Sequence, residues 1–290
     1  MPTPGSRQDR DVFRLTPSTD ASILQTIADR LEFRGTDDGY ALLSQAYFSR
    51  VPLGSARRIL ALGCGTGVEV RALRRVTGPD TALVGVDHSP VLLDTARRLT
   101  AKEGLESNVS YQTGDAHHLG FADGKFDIVT LHTLISHVDD PLQVLREARR
   151  VVKPGGTVAI FDGDYASLTF GYPDPAQAST VEDELRKVMV ANPRVMRDMP
   201  RLLPAAGLEL VDARGVLYAD IGTSRFWANA AQAYSAVLAH SGSVEPALVE
   251  DWRAFQARSL EDQTFFGASN YYTYLAQPSA VRATASDSPG

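Results

Sequence analysis

The sequence predicts a doubly wound α/β domain. Three observations carry that expectation: short apolar runs alternate with stretches of helical periodicity, a glycine cluster follows the first run, and an aspartate closes each of the next two. Parallel strands joined through helices cross over right-handedly, so helices cover both faces of the sheet and ligands collect beyond the carboxyl ends of the strands.

The elements follow in chain order. Residues 22–33 place Ile23, Leu24, Ile27, Ala28 and Leu31 at helical spacing, and residues 40–48 repeat the pattern with Leu42, Leu43 and Tyr47. Residues 58–62 are a short apolar run ending in glycines, and a helical stripe occupies 68–76. The rhythm recurs as strand 81–86, helix 90–99 opened by Pro90, and strand 109–112. A fourth strand spans 126–131, a helix 141–151, and a fifth strand 157–161 after the Pro154-Gly155-Gly156 turn. Beyond Tyr165 the pattern changes. Helices are expected at 176–190 and 194–203, a strand at 208–218, helices at 224–239 and 247–259, and an aromatic-rich strand at 265–275.

The division expected is a polar arm with helices (1–50), a binding core (51–165), a helical cap insertion (166–207), strands and helices completing the sheet (208–278) and a polar tail (279–290). With 43% hydrophobic and 22% charged residues among 290, the chain resembles an ordinary globular protein. A net charge of -6 and pI near 5.5 argue against nucleic acid as a partner. Cys64 stands alone, so no internal disulfide or Cys-rich zinc site can form, which favours a reducing cytoplasm. The first eleven residues lack the apolar core of a secretory leader, and no run of about 18 apolar residues suggests a membrane span. The oligomeric state is not legible.

Leu62-Gly63-Cys64-Gly65-Thr66-Gly67 closes a strand and opens a helix, where backbone must approach a ligand without a Cβ in the way. A dinucleotide fingerprint would need glycine at position 68, which is Val68, so a nicotinamide oxidoreductase is disfavoured. Asp87 ends the second strand 20 positions after Gly67, placed to accept from both hydroxyls of a ribose; a helix cap before Pro90 is the plainer alternative. Asp115 ends the third strand beside Ala116 and brings a second carboxylate to the same rim, or merely terminates a loop.

These residues resemble the class I S-adenosylmethionine-dependent methyltransferases, in the small-molecule branch that looks like the quinone and sterol methyltransferases. The resemblance covers residues 57–164. The glycine turn resembles the first motif, Val84-Gly85-Val86-Asp87-His88-Ser89 the second, and Gly114-Asp115-Ala116 the adenine-binding segment. Residues 126–132 resemble the fourth-strand motif, and 145–157 the helix and turn before strand five. The resemblance implies a Rossmann-like seven-stranded sheet whose last strand is antiparallel. It implies that Gly63, Cys64, Gly65 and Gly67 face the methionine portion of S-adenosylmethionine, with Asp87 and His88 at the ribose, Asp115 and Ala116 at the adenine, and Leu131 and His132 at the sulfonium. One departure stands out: relatives often carry an acidic residue two positions before the first glycine, where this chain has Ala61.

A sulfonium methyl is already activated, so the protein needs chiefly to align an acceptor and exclude water. His137 and His132 are the candidate bases for an acceptor proton, though each also suits a polar rim. They lie five apart, and His117 adjoins His118, so neither pair has helical metal-ligand spacing and no metal is expected. Tyr165 leaves strand five at the ligand edge and is a lining candidate. Arg194 and Arg197 suit an anionic acceptor or a solvated helix face, and Tyr272 an aromatic wall or ordinary strand packing. The function expected is methyl transfer to O, N or C of a small metabolite. The alternative is a protein that binds the cofactor without transferring its methyl, as a cyclase-like enzyme or regulatory subunit.

Overall fold

Strands β1 (Arg58–Leu62), β2 (Ala82–Asp87), β3 (Val109–Thr113), β4 (Phe126–His132), β5 (Val152–Phe170), β6 (Leu208–Gly222) and β7 (Phe265–Pro278) form one sheet. The computed structural model describes residues 21–279, so the polar arm before Ala21 and all but the first residue of the expected tail lie outside the described residues. The strand order is β3-β2-β1-β4-β5-β7-β6, with β1 to β5 parallel and β7 antiparallel to both of its neighbours. This is the seven-stranded Rossmann-like sheet that the motifs imply. The order reverses between β1, which turns to β2, and β4 on its other side, and that switch point is where the cleft opens.

Helices α1 (Ala21–Thr36), α2 (Asp38–Phe48), α3 (Val68–Val76), α4 (Pro90–Lys102), α5 (Pro141–Val151), α6 (Pro175–Met189), α7 (Val195–Ala205), α8 (Phe226–Ser241) and α9 (Pro246–Glu261) pack around it. Local chemistry sets several of their starts. Ser89, Asp140 and Asp174 each accept a backbone N–H from the first turn of α4, α5 and α6, and each is followed by a proline whose missing N–H costs nothing there.

The alternation of β5 sorts the layers. Ala159 and Phe161 face one core, filled by α2, α3, α6, α8 and α9, whereas Val158 and Ile160 face the other, filled by α5 and α7. Residues 166–207 therefore do not build a single cap. Val181, Leu185 and Val188 carry α6 to one side of the sheet, and Val195, Met196, Met199 and Leu203 carry α7 to the other. Strand β5 is longer than its apolar run, because it pairs with β7 on past Phe161. Residues 153–156 loop out where its register against β4 shifts between Phe126 and Ile128, with Gly155 at φ +74°.

Candidate functional site

The turn after β1 is held by its own backbone. Cys64 N–H donates to Val86 O at 3.0 Å and Gly67 N–H to Cys64 O at 2.8 Å, while Gly63, Gly65 and Gly67 take φ of +63°, +52° and +79°. Two of them also have no room for a side chain: a Cβ on Gly63 would lie 2.5 Å from Leu134, and one on Gly67 2.5 Å from the Tyr111 hydroxyl. Asp87 braces this turn from β2, accepting from Gly65 N–H at 2.8 Å and Ser89 N–H at 2.9 Å. Each oxygen keeps a free lone pair for a ligand hydroxyl. Ser89, not Asp87, caps α4.

Two cavities meet at this turn and share Gly63, Asp87, His88, Leu134 and His137. The smaller, about 260 Å³, adds Gly114, Asp115, Ala116 and His117. There Asp115 is open, its side chain 59% exposed, and accepts from the His117 backbone at 2.9 Å and pairs with its ring at 2.7 Å. Burial is the largest single influence and raises its pKa, but the His117 and His118 interactions together outweigh it and hold the group below the usual carboxylate value.

The larger cavity, about 340 Å³, runs from the glycine turn under α1 and α2 and is lined by Arg34, Tyr40, Thr66, Glu69, His132 and Thr133 among others. Arg34 donates to the Tyr40 hydroxyl at 3.0 Å and to Thr133 Oγ1 at 2.8 Å; Tyr40 Oη in turn lies 2.9 Å from His132 Nε2. Guanidinium only donates, so the Tyr40 O–H is left for Nε2, which places the imidazole proton on Nδ1. Burial, and then the Arg34 charge, push the His132 pKa down to about 3, so the ring is neutral and a weak base. Thr133 is bent to φ +52°, an unfavourable backbone for a β-branched residue, and its N–H donates to Phe161 O at 2.6 Å. Below the ring, Asp162 accepts from Ser136 N–H and Oγ at 3.1 and 2.9 Å and anchors the loop that carries His137.

The structure brings Gly63, Cys64, Gly65, Asp87, His88, Asp115, Ala116, His132 and His137 onto cavity walls. It does not bring the others. Gly67 shapes the turn from behind as the N-cap of α3, and Leu131 is wholly buried in the opposite core, its place on the wall taken by Thr133 and Leu134. Tyr165 stays one layer back, its ring edge-on to His137 at 6.2 Å. Three lining residues expected from sequence need correction. Arg197 is committed to Asp164, at 2.7 and 2.8 Å, and Arg194 is an exposed helix-capping position away from both cavities. Tyr272 points to the α5–α7 side, over Gly215. Alternation turns Tyr271 inward instead, stacked on Phe161 at 5.5 Å and edge-on to Tyr40 at 6.1 Å. Arg34, Tyr40 and Glu69 carry no motif signal; they become a site only when α1, α2 and α3 close over β4.

The walls suit a ligand with polar ends. Arg34 Nε, Thr66 Oγ1, Glu69 Oε1 and His132 Nδ1 are buried without hydrogen-bond partners, and all four residues line the larger cavity. Residues 60–160 match the family described as Methyltransferase domain. The stretch from β1 into β5 is thus similar to a methyltransferase domain. The chain is 31% identical to Methyltransferase GfsG of Streptomyces halstedii over 60% of each chain. It is 34% identical to a demethylmenaquinone methyltransferase of Lactobacillus johnsonii over 44% of this chain and 51% of that one. It thus spans about half to three-fifths of the length of these relatives. Its fold is shared with the [4+2]-cyclase SpnF, at TM-score 0.57 and 20% identity over 97% of this chain and 99% of that one.

Proposed function

We propose that this protein is a methyltransferase that transfers the methyl group of S-adenosylmethionine to O, N or C of a small metabolite. The observation that carries the proposal is the clustering of four unpartnered buried polar atoms beside a left-handed glycine turn, in a cavity continuous with a carboxylate-lined rim. When bound, the cofactor supplies an already activated methyl group. The chain's own residues do the rest. Gly63, Cys64 and Gly65 lie along the methionine portion, the free lone pairs of Asp87 take the ribose hydroxyls with His88 beside them, and Asp115 and Ala116 take the adenine edge.

At the transfer point the protein excludes water and holds the acceptor's proton. Tyr40, Tyr47 and Phe161 pack against the His132 ring, with Phe226 and Tyr271 extending the aromatic cluster behind it, which seals that side of the chamber from water. Of the two expected bases, His137 fits proton acceptance better, because it borders both cavities whereas the His132 ring is weakly basic and tied to Tyr40. Helices α1 and α2, the two N-terminal helices, cover this chamber. A single buried cysteine and a net charge of -6 support a cytoplasmic enzyme working on a small molecule rather than on nucleic acid.

The test is S-adenosylhomocysteine release across a panel of candidate acceptors, with Asp87→Ala as control. Release by the wild type and none by the variant is expected, since Asp87 both braces the turn and contacts the ribose. Calorimetry showing no heat with the methyl donor or its demethylated product would sink the reading, and donor binding without turnover on any acceptor would leave a cofactor-binding protein only.

A further inference from the structure

Glu69 is an oddity in this site. It lies in the first turn of α3, two residues past Gly67, is 6% exposed, and lines the larger cavity. Its Oε1 has no hydrogen-bond partner; the His132 Nδ1 atom facing it is 3.8 Å away, beyond hydrogen-bond length, and is unpartnered too. The groups around it do not neutralise it. His132 on β4 is neutral, Tyr40 and Tyr47 on α2 and Cys64 in the turn are uncharged and kept so in part by the Glu69 charge, and Arg34 on α1 turns its Nη2 to Tyr40 and Thr133. A buried carboxyl with one open oxygen on a cavity wall is a costly arrangement unless a cation completes it.

The glycine turn itself supplies the second half of the argument. At position 61, where the family that this turn resembles often carries an acidic residue, Ala61 is packed with its side chain in the apolar core. We infer that Glu69 takes over that work, accepting the α-ammonium group at the amino-acid end of the methyl donor. The inference rests on the cofactor reading proposed above and moves the anchoring carboxylate from the strand end to the helix. Burial raises the Glu69 pKa to about 8, an effect that the Thr130 hydroxyl only partly offsets, so the free protein carries this group mostly protonated near neutrality. An arriving ammonium favours the carboxylate, and the displaced proton passes to solvent.

Calorimetric titration of the full chain with two probes tests this: S-adenosylhomocysteine, which has the amino-acid end, and 5′-methylthioadenosine, which lacks it. Glu69→Gln should weaken the first about 20-fold or more and change the second by less than about 3-fold, as expected for loss of a charged hydrogen bond at one end of a ligand. In the wild type near pH 7, titrations in buffers of different ionisation heat should show proton release with S-adenosylhomocysteine and none with methylthioadenosine. Equal affinity of Glu69→Gln and wild type for S-adenosylhomocysteine, or no proton release by the wild type, would overturn the inference. If the variant loses both probes alike, its fold is disturbed and the wild-type proton count decides. If neither probe binds the wild type, the cofactor reading has failed and takes this inference with it.

Discussion

The two ends of the cleft are built by different rules. At the end formed by Asp87 and Asp115, each carboxylate is placed by a strand terminus and bound by backbone N–H groups close by, with Asp87 accepting from Ser89 and Asp115 from His117. At the other end, Arg34 reaches Thr133 across 99 residues of sequence and Tyr40 reaches His132 across 92, and burial governs the protonation of Glu69 and His132. At the first end Asp87 is buried and braced by the adjoining glycine turn, while Asp115 is solvated and bonded only to its near neighbours. The second is enclosed and nonlocal, so its residues depend on one another.

That contrast can be broken most directly at Arg34. Arg34→Met strands the Thr133 and Tyr40 hydroxyls, and the expected loss is about 2–4 kcal/mol of stability, measured by urea unfolding. A loss below about 0.5 kcal/mol, the usual range for a surface change, would show that the enclosed end is not a network.

A smaller effect lies in the pH dependence of stability. The native Glu69 pKa, about 8, exceeds its ordinary value of 4.5, so the native state holds the extra proton between them and stability falls as pH rises towards 8. The native His132 pKa, about 3, is below its ordinary 6.5, so the unfolded state holds the extra proton and stability falls as pH drops through that window. The two slopes oppose each other between 4.5 and 6.5, where a plateau is expected. Above 6.5 only the Glu69 slope remains, and Glu69→Gln should flatten it. Urea midpoints across this range check both signs, and an unaltered slope in the variant would remove Glu69 as its source.

The smallest effect is expected at the open end. Asp115→Asn should weaken S-adenosylhomocysteine about 2- to 10-fold by calorimetry and leave the urea midpoint unchanged, because an exposed hydrogen-bonding group contributes little to folding. A large stability loss there would erase the distinction between the two ends.

Legibility follows the same divide. β1, α3 and α5 match the expected boundaries because glycine, proline and Asp140 punctuate them locally. Asp87, Asp115 and the glycine turn were readable for the same reason. Tyr272 was not separable from Tyr271, since a Tyr-Tyr-Thr-Tyr run suits either face and only pairing with β5 and β6 fixes which side is which. Arg197 looked available because Asp164, its partner, lies 33 residues upstream. Arg34, Tyr40 and Glu69 read as ordinary polar members of amphipathic helices, and nothing in their spacing tells that the helices close over His132.

Thr133 gives the site a cost that the rest of the fold must carry. Keeping a branched side chain at φ +52° takes about 1–3 kcal/mol. Selection for heat tolerance alone would favour glycine there, which relaxes the bend and deletes the hydroxyl that receives Arg34. Thermostable descendants of this protein chosen without a functional screen would accordingly accumulate changes at that hinge, and would drift towards sturdier proteins with a slack grip on the cover helix.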